Sequence, residues 1–370
     1  MTPRVRRTVS VSLFLVLIFS GFDCRHATEP SQTRAGSDTT SHDFFWRLDT
    51  LGGGSANSLR DVAVIDDTLA YAVGEVYLYD SLGNLDRNAY NMVKWDGTRW
   101  TPMRLEFHTI CGQAGTTSYP ASAVLALSPT DVWIAAAGQI ARWNGTSQTE
   151  TMCLPLSFSI YKVWGSNPKS VYAVGYGGNI AYYDGNTWQM LSSGTDVNLL
   201  DVNGTPDGST VWACGWEDFT PTVLIRIRGT VAEKIYEKHY PYQLRADSVS
   251  GDLIGVCSPS GQYLFVCSSL GLYRCPCVTK GEGKRLSFVP DYFPGFPYGM
   301  RGSSDNDLFV VGTYNFIAHY NGSTWRHYDE LMSQEGWFRS VDAKGNMVVA
   351  VGHLYSDPLN VRAFIATGRR

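Results

Sequence analysis

Cysteines and carboxylates are the residues of this chain whose types and spacing suggest chemistry. Of its eight cysteines, Cys24 follows an apolar leader, where an exported protein can carry a lipidated cysteine. Cys111 and Cys153 flank one strand-rich stretch and are expected to pair as a disulfide in an oxidising compartment. Cys275 and Cys277, separated by Pro276, have Cys257 or Cys267 as partners or a soft metal as ligand; no histidine lies near them in sequence, which argues against metal. Cys214 reads as a small buried apolar residue. Among the acids, Glu75, Glu217 and Asp218 fall just after the glycines Gly74 and Gly215. Asp80, Asn84, Asp86 and Asn88 place oxygen-bearing side chains at alternate positions, a loose calcium-type pattern. It lacks a closing bidentate glutamate, and a polar loop held by Asx turns is the competing reading. No G-x-S-x-G elbow, H-E-x-x-H pair or P-loop is present.

These residues must be positioned by a repeat. Residues 164–188, WGSNPKSVYAVGYGGNIAYYDGNTW, recur in register as residues 301–325, RGSSDNDLFVVGTYNFIAHYNGSTW. Short aromatic and β-branched runs alternate with glycine turns, and self-similarity at roughly 40 to 50 residues built from strands is the signature of a propeller blade. Inner strands are expected near Leu59, Ala123, Ile160, Leu199, Leu253, Tyr298 and Phe338. The reading is therefore an all-β, seven-bladed β-propeller, with six or eight blades as alternative counts. A blade-marking pair recurs as Val73-Gly74, Ala137-Gly138, Val174-Gly175, Cys214-Gly215, Val311-Gly312 and Val351-Gly352. Asp96-Gly97, Asn144-Gly145, Asp184-Gly185 and Asn321-Gly322 mark tight hairpins. The fifth blade has lost both marks. The last blade has only three strands before Arg370, and the N-terminal FFWRL (residues 44–48) resembles an outermost strand, so it is expected to complete that blade and close the ring.

Arg4, Arg6 and Arg7 before the apolar residues 13–19 form an export signal. The expected organisation is an export signal at 1–23, a flexible Ser/Thr/Gly-rich tether at 24–42 and the propeller at 43–370. Removing the leader takes away three arginines and one aspartate and moves the formal net charge from −4 to −6. That balance argues against nucleic acid or anionic lipid as the main partner. Contact with membrane is expected only through a lipid on Cys24. The location is then extracytoplasmic, in a bacterial cell envelope, and the chain is expected as a monomer without a cofactor.

In a propeller, the loops joining second to third strands and those between blades share one face around the axial channel. Here those loops carry Glu75, Tyr176, Trp216, Glu217, Asp218, Tyr314, His353 and Tyr355, and residues 291–298 (DYFPGFPY) add aromatics. Aromatic platforms with a few acids suit peptides or sugars. The repeat resembles the WGxxxxDhWAVG repeats of secreted bacterial propeller proteins. It lacks the paired glycines of kelch, the Gly-His and Trp-Asp marks of WD40 and the Asp box of sialidases. Some proteins with such repeats carry a glucosyltransferase label, but no nucleotide-sugar site is found here and the activity is not carried over. The leading expectation is a binding or scaffold module for protein or glycan. The alternative is a carbohydrate-active hydrolase or lyase using loop carboxylates.

Overall fold

The computed structural model describes residues 39–218, 221–239, 249–277, 287–289, 293–357 and 360–370. The leader, Cys24 and most of the expected tether lie outside them, as do Asp291 and Tyr292. Each stretch that reads as a blade folds into an antiparallel four-stranded sheet, and among the described residues there are seven. Their inner strands are Ser58–Asp66, Ala121–Ser128, Ile160–Asn167, Asp201–Gly204, Leu253–Cys257, Pro297–Ser304 and Gly336–Lys344. Each packs beside the next and the last beside the first, which makes the propeller. Blade five, without the sequence marks, has its four strands like the others. Apolar residues fill each interface between neighbouring sheets: there are seven buried clusters, one per junction. Stability thus sits between blades, as in other repeat architectures.

The Val-Gly mark has a steric cause. A Cβ at Gly175 would lie 2.0 Å from the Ser159 carbonyl oxygen, and at Gly74, Gly215, Gly312 and Gly352 it would lie 1.8–2.1 Å from the corresponding carbonyl of the inner strand. Gly175 is extended, with φ 179°, so close approach rather than a left-handed backbone selects glycine there. Ala137-Gly138 proves to be out of register: Ala136 pairs with Ala121 at the marked position, and Gly138 sits in the following turn with φ +72°. The hairpin pairs also differ from the tight two-residue form. Trp95 pairs with Trp100 across residues 96–99. Only the glycine of each pair, Gly97, Gly145, Gly185 or Gly322, has positive φ (+92° to +99°), and the Asp or Asn side chain caps the turn, as Asp96 does for the N–H groups of Thr98 and Arg99 at 2.9 Å.

The two chain ends share the seventh blade. Phe45–Leu51 pairs antiparallel with Asn360–Arg369, from Phe45 opposite Arg369 to Leu51 opposite Ala363. Docking begins earlier than the expected tether boundary, because Thr40 donates to the Asn306 carbonyl at 2.5 Å and His42 meets His319. His319 Nε2 lies 2.9 Å from Asp307 Oδ1; with that N–H donated, His319 Nδ1 accepts from His42 Nδ1 at 2.8 Å. Arg370 grips Asp307 through two contacts at 2.9 and 2.7 Å. Burial alone would raise Asp307, but His319, Arg370 and Ser303 outweigh it and hold the carboxyl at about 2. Phe44 stands edge-on to Phe309, His319 and Tyr328. One buried carboxylate in blade six therefore collects both ends of the chain.

Removing residues 43–50 strips six of the strand's seven residues and two aromatics, Phe44 and Trp46, that pack on the junction of blades six and seven. It is expected to lower the melting temperature by at least about 10 °C. An unchanged calorimetric transition would reject the closure.

Candidate functional site

Inner strands of a propeller line its channel, and in six of the seven the pairing with the second strand slips by one residue at the same place. The slips fall between Leu59 and Asp61, Ala121 and Ala123, Ile160 and Lys162, Leu253 and Gly255, Pro297 and Gly299, and Phe338 and Ser340. Such a bulge re-aims side chains that simple alternation would send elsewhere. The skipped residues, Arg60, Ser122, Tyr161, Ile254, Tyr298 and Arg339, all line a cavity of about 750 Å³ at one mouth of the channel. Loop residues such as Phe158, Trp216 and Phe296 raise its walls. A second cavity of about 330 Å³ opens beyond, and Lys162 and Arg301 line both.

Ion pairs form the waist. Arg301 bonds Asp201 through two nitrogens at 2.8 and 2.6 Å, and Lys162 pairs with Asp61. Above them the rings come from four blades, three, four, six and seven, and one side carries a continuous aromatic arc. Trp216 touches Phe296 (ring centroids 5.8 Å), Phe296 touches Tyr298 (5.5 Å), Tyr298 touches Trp337 (5.7 Å), and Trp337 meets His353 and Tyr355. Trp216 Nε1 is buried with no hydrogen-bond partner among the described residues.

The residues singled out in the sequence are brought together only in part. Trp216 lines the cavity. Glu75 bonds Arg60 at 2.7 Å. Glu217 is exposed and Tyr176 is 57% exposed; both lie near Tyr161, whose phenol is raised by burial and then by these two neighbours. Asp218 is exposed. Tyr314, at φ +61°, stands outside the cavity lining. His353 is buried behind the arc, its Nδ1 3.3 Å from Ser58 Oγ. Arg60, Tyr161 and Arg339 were not expected. Their signal is the recurring apolar-x-polar-Val of Leu59-Arg60-Asp61-Val62, Ile160-Tyr161-Lys162-Val163 and Phe338-Arg339-Ser340-Val341, in which x faces the mouth.

The other candidates have definite surroundings. Cys111 and Cys153 form a disulfide, closing a loop of 42 residues, a constraint worth about 4 kcal/mol in the chain-entropy account. Cys214, Cys257 and Cys267 are buried thiols, raised by desolvation; Cys277 Sγ lies 3.5 Å from Ser258 Oγ. In the oxygen-rich loop of blade one, Asp80 Oδ1 accepts from the N–H groups of Leu82 and Asn84 at 2.8 Å, and Asp86 pairs with Arg104. The Leu82 contact is that of an Asx turn, and Asp86–Arg104 is an ion pair.

No family model and no curated protein matches the sequence. Solved structures do. YCF48 bound to D1 peptide aligns with a TM-score of 0.61 at 13% identity, over 90% of this chain and 98% of that one. YCF48 from Cyanidioschyzon merolae aligns at 0.57 and 12%, over 85% and 98%. Virginiamycin B lyase from Staphylococcus aureus aligns at 0.57 and 12%, over 89% and 100%. At such identities the likeness shows the fold, shared by a peptide-bound protein and a lyase.

His353 makes the site acid-sensitive. Burial, followed by the nearby Arg339, lowers its imidazole to about 4 from an ordinary 6.5. The unfolded chain therefore binds the proton first as pH falls. Stability is full above about 6.5 and is lost toward about 4, by on the order of 3 kcal/mol. His42, lowered by burial and then by His319, steepens the same limb. Urea midpoints measured between about pH 7 and about pH 4 should fall accordingly, and His353→Phe should remove much of the slope. A pH-independent midpoint would contradict this assignment.

Proposed function

We propose that the protein is an extracytoplasmic propeller that binds a segment of another protein at the wide mouth of its channel. The observation that carries the reading is the aromatic arc from Trp216 to Tyr355, built over a cavity large enough for several side chains. Rigid rings bury much area at little entropic cost, which is why they anchor interfaces. A structure of YCF48 bound to a D1 peptide supports the class of ligand. The same rings also suit stacking on sugars, so a glycan is the second reading, supported by the same arc.

Two carboxylates line the cavity, Asp61 and Asp201, and each is held by a cation. A paired acid and base would need them free. The carbohydrate-active alternative would draw on the exposed rim acids Glu217 and Asp218. Export and a lipid on Cys24 complete the proposal: the propeller would be tethered at the envelope with its mouth open to partners.

Binding can be followed through tryptophan fluorescence with arrayed peptides and with glycans. Trp337→Ala is expected to weaken the bound class by about tenfold or more. Peptide binding untouched by Trp337→Ala, or sugar turnover abolished by Glu217→Gln, would overturn the reading. For the tether, Cys24→Ser should move the protein from the membrane to the soluble fraction and abolish fatty-acid labelling; wild-type protein that takes up no label would refute lipidation.

A further inference from the structure

The charges around the mouth do not balance. Four cationic side chains line the cavity, Arg60, Lys162, Arg301 and Arg339, against two anionic ones, Asp61 and Asp201. Lys162 takes Asp61, Arg301 takes Asp201, and Arg60 reaches out of the cavity to Glu75. That leaves Arg339. Among the described residues no carboxylate pairs with it and no acceptor receives its N–H groups. Its one described contact is with the Trp337 ring, 5.7 Å from the centroid, and a cation over a ring face satisfies no donor. Desolvation pulls Arg339 below its ordinary value; Tyr298 opposes this, while Arg60 adds to it by repulsion. A guanidinium remains charged under these conditions. It stands open to solvent in the cavity wall, with no counter-charge among the described residues, at the edge of the aromatic arc.

We propose that the mouth selects acidic peptides: a side-chain carboxylate docks on Arg339 while a neighbouring aromatic or apolar residue packs on Tyr298, Trp337 and Phe296. This rests on the protein-segment reading above and adds the chemistry of the segment. Planar two-point bonding explains why an arginine suits the position. Arg339 occupies a bulged place in its strand, so its side chain enters the mouth while its neighbours Phe338 and Ser340 keep the blade packed and pinned. The ligand supplies the missing counter-charge, and the aromatic neighbours shield the pair from water. Long-range attraction is not the source of selectivity, since the chain as a whole is net negative; the contact is local.

The test uses the full exported chain and short synthetic peptides with amidated termini, made in pairs that differ only by Glu against Gln or Asp against Asn beside an aromatic residue. Affinity is read by tryptophan fluorescence. The acidic member of a pair should bind at least about tenfold more tightly. Arg339→Gln should erase that preference, Arg339→Lys should restore part of it, and Trp337→Ala should weaken both members alike. Circular dichroism and melting of the two arginine variants keep a folding defect from passing as lost binding, and Arg339→Lys stands in if Arg339→Gln unfolds. Pairs that bind equally, or a preference that survives Arg339→Gln, would overturn the acidic-peptide inference and leave the protein-segment reading standing. Binding of no peptide at all would sink both. Arg339-dependent binding of uronate oligosaccharides in place of peptides would overturn the inference and move the site to the glycan reading.

Discussion

A buried carboxylate cannot stay in a propeller channel unless several blades solvate it, and this ring uses that demand to hold itself together. Asp61 of blade one accepts the Val124 N–H of blade two at 2.9 Å, the Ser340 hydroxyl of blade seven at 2.7 Å and the Lys162 ammonium of blade three. Asp201 of blade four does the same for the Val256 N–H of blade five at 2.9 Å and the Arg301 guanidinium of blade six. Asp342 of blade seven accepts from Val64 of blade one at 2.7 Å. Each replaces lost water with charge-assisted bonds. Removing Asp61 or Asp201 would strand a cation as well as a backbone donor, so the members are coupled. The apolar clusters join only adjacent blades, whereas Asp61 and Asp201 also reach the next blade but one through Lys162 and Arg301.

The same arrangement shapes the mouth. Asp61, Lys162 and Ser340 follow immediately after the bulge of their strands, and Arg60, Tyr161 and Arg339 are the bulged residues themselves. One step of register separates a residue that ties the ring from one that faces a ligand. Because the bulge breaks strict alternation, both can point inward. A propeller can therefore change what its mouth presents at the bulged positions while the next residue continues to bind its neighbour blades.

Much of the architecture was legible because it obeys short-range rules. Val174-Gly175 and Val311-Gly312 stand out since no Cβ fits against the preceding strand's carbonyl, and that close approach recurs in blade after blade. The closing strand was legible from FFWRL because an outermost strand with aromatic content needs a partner, and the last blade lacked one. Ala137-Gly138 misled because a turn glycine two residues after Ala136 imitates the mark. Docking of Thr40 and His42 was hidden, since it depends on Asn306 for the first and on His319 and Asp307 for the second, far away in sequence. The site was less legible than the fold. Loops supply Trp216, but much of the mouth comes from strand residues whose direction depends on a register slip, signalled only by the recurring apolar-x-polar-Val pattern.

Arg339 shows what such a slip makes possible. In regular alternation, Phe338 packing into the junction with blade six would leave its neighbour to face one side and Ser340 the other. With the bulge, Ser340 bonds Asp61 and Arg339 is left over the cavity beside Tyr298 and Trp337. A cation so placed pairs with no carboxylate among the described residues, and the arginine that repels it, Arg60, is committed to Glu75. Arg339 is exposed, so water fills its fork in the free protein, and a ligand carboxylate would exchange that water for a two-point, charge-assisted bond. That asymmetry, acids fully used in the waist and an arginine unused above it, is the physical ground on which the mouth can distinguish one ligand from another.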